Sequence, residues 1–510
     1  MSKTATYTII LIGTTIFAKV LGFAREMTLA YFYGASAVTD AYVVAFSIPT
    51  IIFSGIGTAI LTSYIAIYTS LQQGDTQKLR KFNDSVTTLI FLLSGLVLAV
   101  FLIFDQYIVR AFAVGFQGET FEMAVSLSRI MMASLLFIGV YYIIQGYLQI
   151  HGSFFAVGMV SVPLNVFVVL SFVFSDAESY TRLGWGVVAG YGFSWLMLYV
   201  FAKGKGYSYR PCFQFKDKHI LHLISMVIPI FLGKTITQLN IMIDRTIAST
   251  LPEGSVSALG YGNRIIGFVT AVFVVSVATA LFPQLSRLSA LKNIKKLKST
   301  FVTSVGIMSF IVLPISAGAM IFSEEIVSIL FLRGAFTQAD VERTAQVVVF
   351  YSIGLLAFSI KDVMLNVFYA IQDTKTPTIN SVVALVINTV VNLLLVKKMA
   401  HSGLALATSI SGIVTLIMLF ISLRRKIGAL GLRQLFISLG KMLLATVGMA
   451  FAAMPVYDFI FLKSQSMMVS LIAAVICGAL VYAGLSVLLR VREMGLLVVG
   501  AYERLRPKRS

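Results

Sequence analysis

Three charged side chains interrupt the apolar stretch TTIFAKVLGFAREMTLAYFYG at residues 14–34: Lys19, Arg25 and Glu26. A charge buried in hydrocarbon is costly, so residues of this kind face a cavity or a partner. The planar fork of a guanidinium can engage two oxygens at once, which suits it to phosphate or pyrophosphate better than an ammonium. A second intramembrane arginine, Arg264, lies in GYGNRIIGF, and an acid–base neighbourhood recurs at Asp244 and Arg245. Two arginines at one level make an anion site, and Glu26, Asp244 and Arg245 are supporting charges that reduce the cost of burying them when no substrate is bound. Gly22, between Lys19 and Glu26, weakens the helix and favours a bend there. Asp244 with Asn388, Asn392 and Thr408 offers hard oxygen ligands and is a candidate cation site, although buried Asn and Thr in membrane helices more often simply hydrogen-bond between helices.

Other chemistry finds little support. Cys212 and Cys477 fall in a basic loop and an apolar segment, so neither a disulfide framework nor a thiolate metal site is indicated. His219 and His222 are three apart but lie among lysines with no third ligand, and two ligands do not make a zinc site. No hydrolytic or redox constellation is present, and neither a metal nor another cofactor is expected. A monovalent cation or the membrane potential is the candidate coupling agent. The expectation is a transporter rather than an enzyme.

These residues sit on helices that belong in a bilayer. Of the 510 residues, 58% are hydrophobic and only 12% charged, and the mean hydropathy is +0.91. Apolar runs predict fourteen spans at roughly 7–33, 37–70, 86–108, 126–150, 154–175, 184–202, 220–251, 257–285, 300–322, 343–371, 377–396, 402–423, 434–458 and 467–489. The first run is expected to stay as a span, because it leads directly into a second without a small-residue cleavage site. With the N-terminus inside, the inner connections and tail collect about 25 Lys and Arg and the outer ones about seven. The positive-inside rule therefore predicts an even number of spans with both termini cytoplasmic. The net charge of +19 is then mostly topological, and a nucleic-acid partner drops out. The tail RVREMGLLVVGAYERLRPKRS (490–510) could lie on anionic membrane lipid as an amphipathic helix, though topological anchoring explains its charge equally well.

The chain also repeats itself. A shift of 218 residues lays KLR (78–80) on KLK (296–298) and FDQYIVRAFAVGF (104–116) on FSEEIVSILFLRG (322–334), and Glu26 falls on Asp244. Later, GYLQIHG (146–152) meets FYAIQDT (368–374) and Asn165 meets Asn388. The predicted architecture is an all-α integral membrane protein of about fourteen helices. Two pseudo-symmetric six-helix lobes occupy 1–203 and 204–433, and two extra helices with a basic tail occupy 434–510. Duplicated bundles of this kind place a substrate site between their halves and alternate its access. Arg25 lies about eight residues from the outer end of its helix, roughly 12 Å deep at 1.5 Å per residue, and Arg264 at about the same depth in the eighth.

KVLGFARE (19–26), GASAVTDAYVVAFSIP (34–49), GFQGET (115–120), YGNRI (261–265), LFPQLS (281–286) and FYAIQDTKTP (368–377) together resemble the MurJ (MviN) family of lipid II flippases. The resemblance spans the first twelve helices. It implies a fold of the multidrug/oligosaccharidyl-lipid/polysaccharide exporter type in the bacterial cytoplasmic membrane. It also implies movement of undecaprenyl-pyrophosphate-linked peptidoglycan precursor from the inner to the outer leaflet, with cell wall synthesis proteins as candidate partners. By position, the family's cavity residues fall on Lys19, Arg25, Asp40 and Arg264, and helices 13 and 14 correspond to the pair associated with a groove for the lipid tail. The chain departs from the better-known members at Lys19, where they carry Arg, and at Phe53 and Ser54, where they carry an Arg pair. Two readings stay beside this one: a flippase for another polyprenyl-pyrophosphate glycan, and a non-transporting membrane scaffold for wall synthesis.

Overall fold

The computed structural model describes residues 3–72, 76–175, 179–271 and 284–496, and among them every regular element is helical. By packing, the chain divides into a first unit, Met1–Ser257 with Arg333–Thr337, and a second, Ala258–Leu332 with Gln338–Ser510.

In the first unit, α1 (Lys3–Tyr33), α2 (Ala37–Leu71) and α3 (Thr76–Phe112) are followed by α4 (Gly118–Met132), α5 (Leu135–Ile150), α6 (Phe154–Gly158), α7 (Ser161–Val173), α8 (Thr181–Lys203) and α9 (Lys218–Ala248). Gly34 at φ +59° turns the chain between α1 and α2, and the Ser36 hydroxyl then caps α2 by accepting the Thr39 N–H. The span expected at 126–150 is broken: α4 and α5 meet at a 42° bend. The amides of Ala133 and Ser134 there reach back three residues, to Ile130 and Met131, so the turn is tightened without proline or glycine. The span expected at 154–175 is also two pieces, α6 and α7. Gly158, the last residue of α6, lets α1 come close, since a Cβ there would sit 1.8 Å from the Thr14 Oγ1. At the end of the unit that carries the α2–α3 turn, Tyr64, Tyr68, Phe82, Tyr147 and Tyr207 join one buried cluster. Their hydroxyls are not left bare: Tyr64 donates to Asn83 Oδ1 at 2.7 Å and Tyr147 to the Lys205 carbonyl at 2.9 Å.

α10 (Ser255–Val269) begins in the first unit and continues in the second. The second unit goes on through α11 (284–290), α12 (Ile294–Ile321), α13 (Ser323–Phe331), α14 (Gln338–Ala370), α15 (Lys375–Ile427), α16 (Arg433–Ser464) and α17 (Met467–Leu488). The expected span 257–285 runs through residues outside those described. The spans expected at 377–396 and 402–423 lie in α15, which reverses at Ala400 with φ +48° and ψ −132°. α16 and α17 pack against α12 through Met442, Met449, Phe310 and Tyr482, and the Tyr482 hydroxyl donates to the Phe310 carbonyl at 2.9 Å. Their other sides expose large apolar residues, Phe451 and Leu488 among them, as lipid-facing helices do.

Among the described residues nine helical segments, with α6 and α7 taken together as one, are long and apolar enough to cross a membrane, or ten with the bent α4–α5 pair counted as one span. The repeat is written into their ends. α2 and α10 start at Ala37 and Ser255, and α3 and α12 at Thr76 and Ile294, each pair 218 residues apart. The same interval separates the non-helical Phe104 inside α3 (φ −114°, ψ 19°) from Phe322 (φ −104°, ψ 30°), where α12 gives way to α13. α9, which the 218-residue interval pairs with α1, packs within the first unit, so packing places the boundary after Ser257.

Candidate functional site

α1 turns one face inward, with Glu26, Leu29, Ala30 and Tyr33 at helical spacing, and Arg25 is buried beside them. Arg25 and Glu26 are each 8% exposed, and Arg25 Nη2 donates to Glu26 Oε1 at 2.6 Å. Neighbouring helical residues do not ordinarily face each other, so the pair forms because both side chains swing toward the same packed wall. That wall is aromatic. The guanidinium carbon lies 5.1 Å from the centre of the Phe46 ring. Phe46 stacks on Tyr42 at 5.9 Å, and Tyr42 and Tyr191 are within electrostatic reach of the charge. Tyr191 in turn stacks with Tyr141 at 6.3 Å. The arginine is thus held by one carboxylate and the face of the Phe46 ring, with donors of its fork left over for a further acceptor.

Asp40 sits one turn into α2 and is 2% exposed. Its Oδ2 accepts the Gly254 N–H at 2.8 Å and its Oδ1 the Ser257 N–H at 2.7 Å. Both oxygens therefore satisfy backbone donors at the amino end of α10, which is what a carboxylate does best at a helix N-terminus.

Lys19 is exposed and lines a cavity of about 430 Å3 with Thr15, Gln145, Gln149, Gly158 and Ser161. Gly22 is not a steric necessity: a Cβ there would meet Asn165 only at 3.8 Å. Asp244 and Arg245 are half-buried near the end of α9, and each is engaged by other groups. The neighbouring Thr246 hydroxyl reaches the Ala111 and Phe112 carbonyls, fastening that end of α9 to α3. Arg264 belongs to the second unit. With Asn263, Gly267 and Phe268 it forms an exposed stripe of α10, while Tyr261, Ile265 and Ile266 are buried. Asn388 and Asn392 are fully buried one turn apart. Asn392 Nδ2 donates to Asn388 Oδ1 at 2.9 Å, and Asn388 Nδ2 to Thr408 Oγ1 at 3.4 Å, joining the two limbs of α15. Phe53 is 1% exposed and its ring lies against Gly139, so this position belongs to the core of the first unit. The Ser54 side chain lies outside those described.

The aromatic wall and the two glutamines were not singled out from the sequence. The spacing of Tyr42 and Phe46, one turn apart behind the helix-2 motif, was the available signal.

Residues 29–478 match the family model described as lipid II flippase MurJ. The chain belongs to this family. Among its relatives, the probable lipid II flippase MurJ of Thermotoga maritima is 28% identical over 420 residues, covering 81% of this chain and 83% of the relative. That of Bdellovibrio bacteriovorus is 25% identical over 487 residues, covering 93% and 92%. A solved structure of a lipid II flippase MurJ in an inward closed conformation superimposes with a TM-score of 0.79 at 25% identity, over 94% of this chain and 99% of that one. An inward-facing multidrug resistance MATE transporter of the MOP superfamily matches at a TM-score of 0.66 over 83% and 98%, and at 15% identity it shares the fold. The MurJ family fold within the MOP exporter class, read from the sequence motifs, is what the helices adopt.

Proposed function

We propose that this integral membrane protein is a flippase that moves undecaprenyl-pyrophosphate-linked peptidoglycan precursor, lipid II, from the inner to the outer leaflet of the bacterial cytoplasmic membrane by alternating access. The observation that carries the reading is the family match across residues 29–478, which covers Asp40 and Arg264 and begins just past Arg25. Arg25 and Arg264 take the pyrophosphate, with Lys19 contributing a weaker point charge. Glu26 neutralises Arg25 between substrates, and Asp244 and Arg245 serve the corresponding place in α9. Asp40 acts as a positioning residue through the backbone it holds. The lobes span 1–203 and 204–433 by symmetry, with 434–510 appended, and both termini are cytoplasmic. The translocated lipid keeps all its bonds, so no catalytic residue is assigned. A monovalent cation held by the set Asp244, Asn388, Asn392 and Thr408, or the membrane potential, drives the cycle, and cell wall synthesis proteins are candidate partners.

Depletion of the protein tests the reading directly. Lipid II is expected to accumulate on the cytoplasmic leaflet; accumulation of a capsular or teichoic precursor with normal lipid II exposure would assign another glycolipid. Arg25→Ala and Arg264→Ala are each expected to abolish precursor transfer in protein that still inserts, and intact transfer in both would favour a scaffold.

A further inference from the structure

α5 reads LLFIGVYYIIQGYLQI, and Gln145 and Gln149 are its two amide side chains. One turn apart, they share a face. That face borders the cavity that also holds Lys19, with the Thr15 and Ser161 hydroxyls at its edge. Both glutamines are half-buried, and among the described residues neither their side-chain amides nor the Lys19 ammonium has a hydrogen bond or ion pair. Polar groups inside a bilayer that find no protein partner are expensive, and a site that gathers three of them is built for something that supplies the partners.

The chemistry of the set is specific. A primary carboxamide offers both donors and an acceptor and pairs reciprocally with the N–H and C=O of another amide; an ammonium only donates and takes an anionic oxygen. Arg25 lies six residues beyond Lys19 on α1, about 9 Å along the axis. α5 ends at Ile150, at the same end of the first unit as the basic connections 77–81 and 203–218.

We propose that Gln145 and Gln149, with Lys19, form a subsite that reads the amide-bearing part of the headgroup as it enters from the cytoplasmic leaflet, while Arg25 holds the pyrophosphate. This rests on the lipid II reading above. The shared chemistry is the secondary amide, carried by both an acetamido sugar and a stem peptide.

The test uses the full chain in nanodiscs, wild type and Gln145→Leu/Gln149→Leu, with three probes: lipid II, the same lipid-linked disaccharide without peptide, and undecaprenyl pyrophosphate. The double variant is expected to bind lipid II about tenfold more weakly, the loss of one to two hydrogen bonds, and undecaprenyl pyrophosphate as wild type does. Loss retained on the peptide-free lipid identifies the acetamido sugar as the group read; loss confined to full lipid II identifies the peptide. Equal losses for all three probes, or none, overturn the subsite. Wild-type protein that binds none of them overturns the flippase reading and the subsite with it, whereas wild-type binding and an unaffected variant overturn the subsite alone. Should the double variant fail to insert, Gln149→Asn keeps an amide at shorter reach, and the same comparison of probes decides.

Discussion

Arg25 keeps its charge in a buried place because Glu26 and the Phe46 ring surround it. Removing the carboxylate while keeping its shape leaves a desolvated cation without its counter-ion, so Glu26→Gln is expected to cost about 3–5 kcal/mol of stability. A lowered melting temperature in detergent would register it, and the double substitution Glu26→Leu with Arg25→Met should cost much less, since the pair is then replaced by apolar contact. Asp40 behaves differently. Asn has one carbonyl oxygen where Asp40 has two acceptors for Gly254 and Ser257, so Asp40→Asn is expected to cost about 1–3 kcal/mol through one buried amide left unpaired. The effect should appear as faster hydrogen exchange at the Gly254 or Ser257 amide. The charges themselves were legible in the sequence because each stands out against apolar neighbours. The job of Asp40 was not, since its partners lie 214 and 217 residues away and only the folded chain brings them together.

Among the elements, the joint between α1 and α6 leaves no room for a side chain at Gly158. Gly158→Ala would drive a methyl group to 1.8 Å from Thr14 Oγ1 and 2.6 Å from its Cβ. Overpacking of this kind costs about 1–3 kcal/mol. Thr14→Ala should restore part of it, because it removes the oxygen but leaves the Cβ, and a double-mutant cycle on thermal stability measures the coupling. The helices themselves were easy to find by their apolar runs, but their interruptions were not. The break at Ala133–Ser134 has no proline or glycine to announce it, whereas the kink at Phe104 was visible only through its echo at Phe322, where an acidic string follows the same phenylalanine. Gln145 and Gln149 escape a sequence reading for a similar reason: a single polar residue per turn does not disturb an apolar run, and only the folded chain, which sets α1, α5 and α6 around one cavity, shows that both face the same opening.

For the whole molecule, the duplication accounts for the plan of the fold, and the division by packing follows contacts instead of ancestry: α9, the counterpart of α1, packs within the first unit. A pattern of residues can reveal common descent, but it does not say which helices will share a core. The sidedness of the molecule can be read at one spot. Where α15 reverses at Ala400, Lys397 and Lys398 stand exposed beside the elbow. They are primary amines at the end of the second unit away from Lys298, which lies beside Gly428 at the far end of α15, so a membrane-impermeant acylating reagent applied to intact cells, or to spheroplasts where an outer membrane intervenes, is expected to modify them and to spare Lys295, Lys296 and Lys298. The reverse labelling pattern would turn the protein over in its membrane. The elbow thus doubles as a chemical tag for orientation, already present in the native chain and needing no engineered epitope.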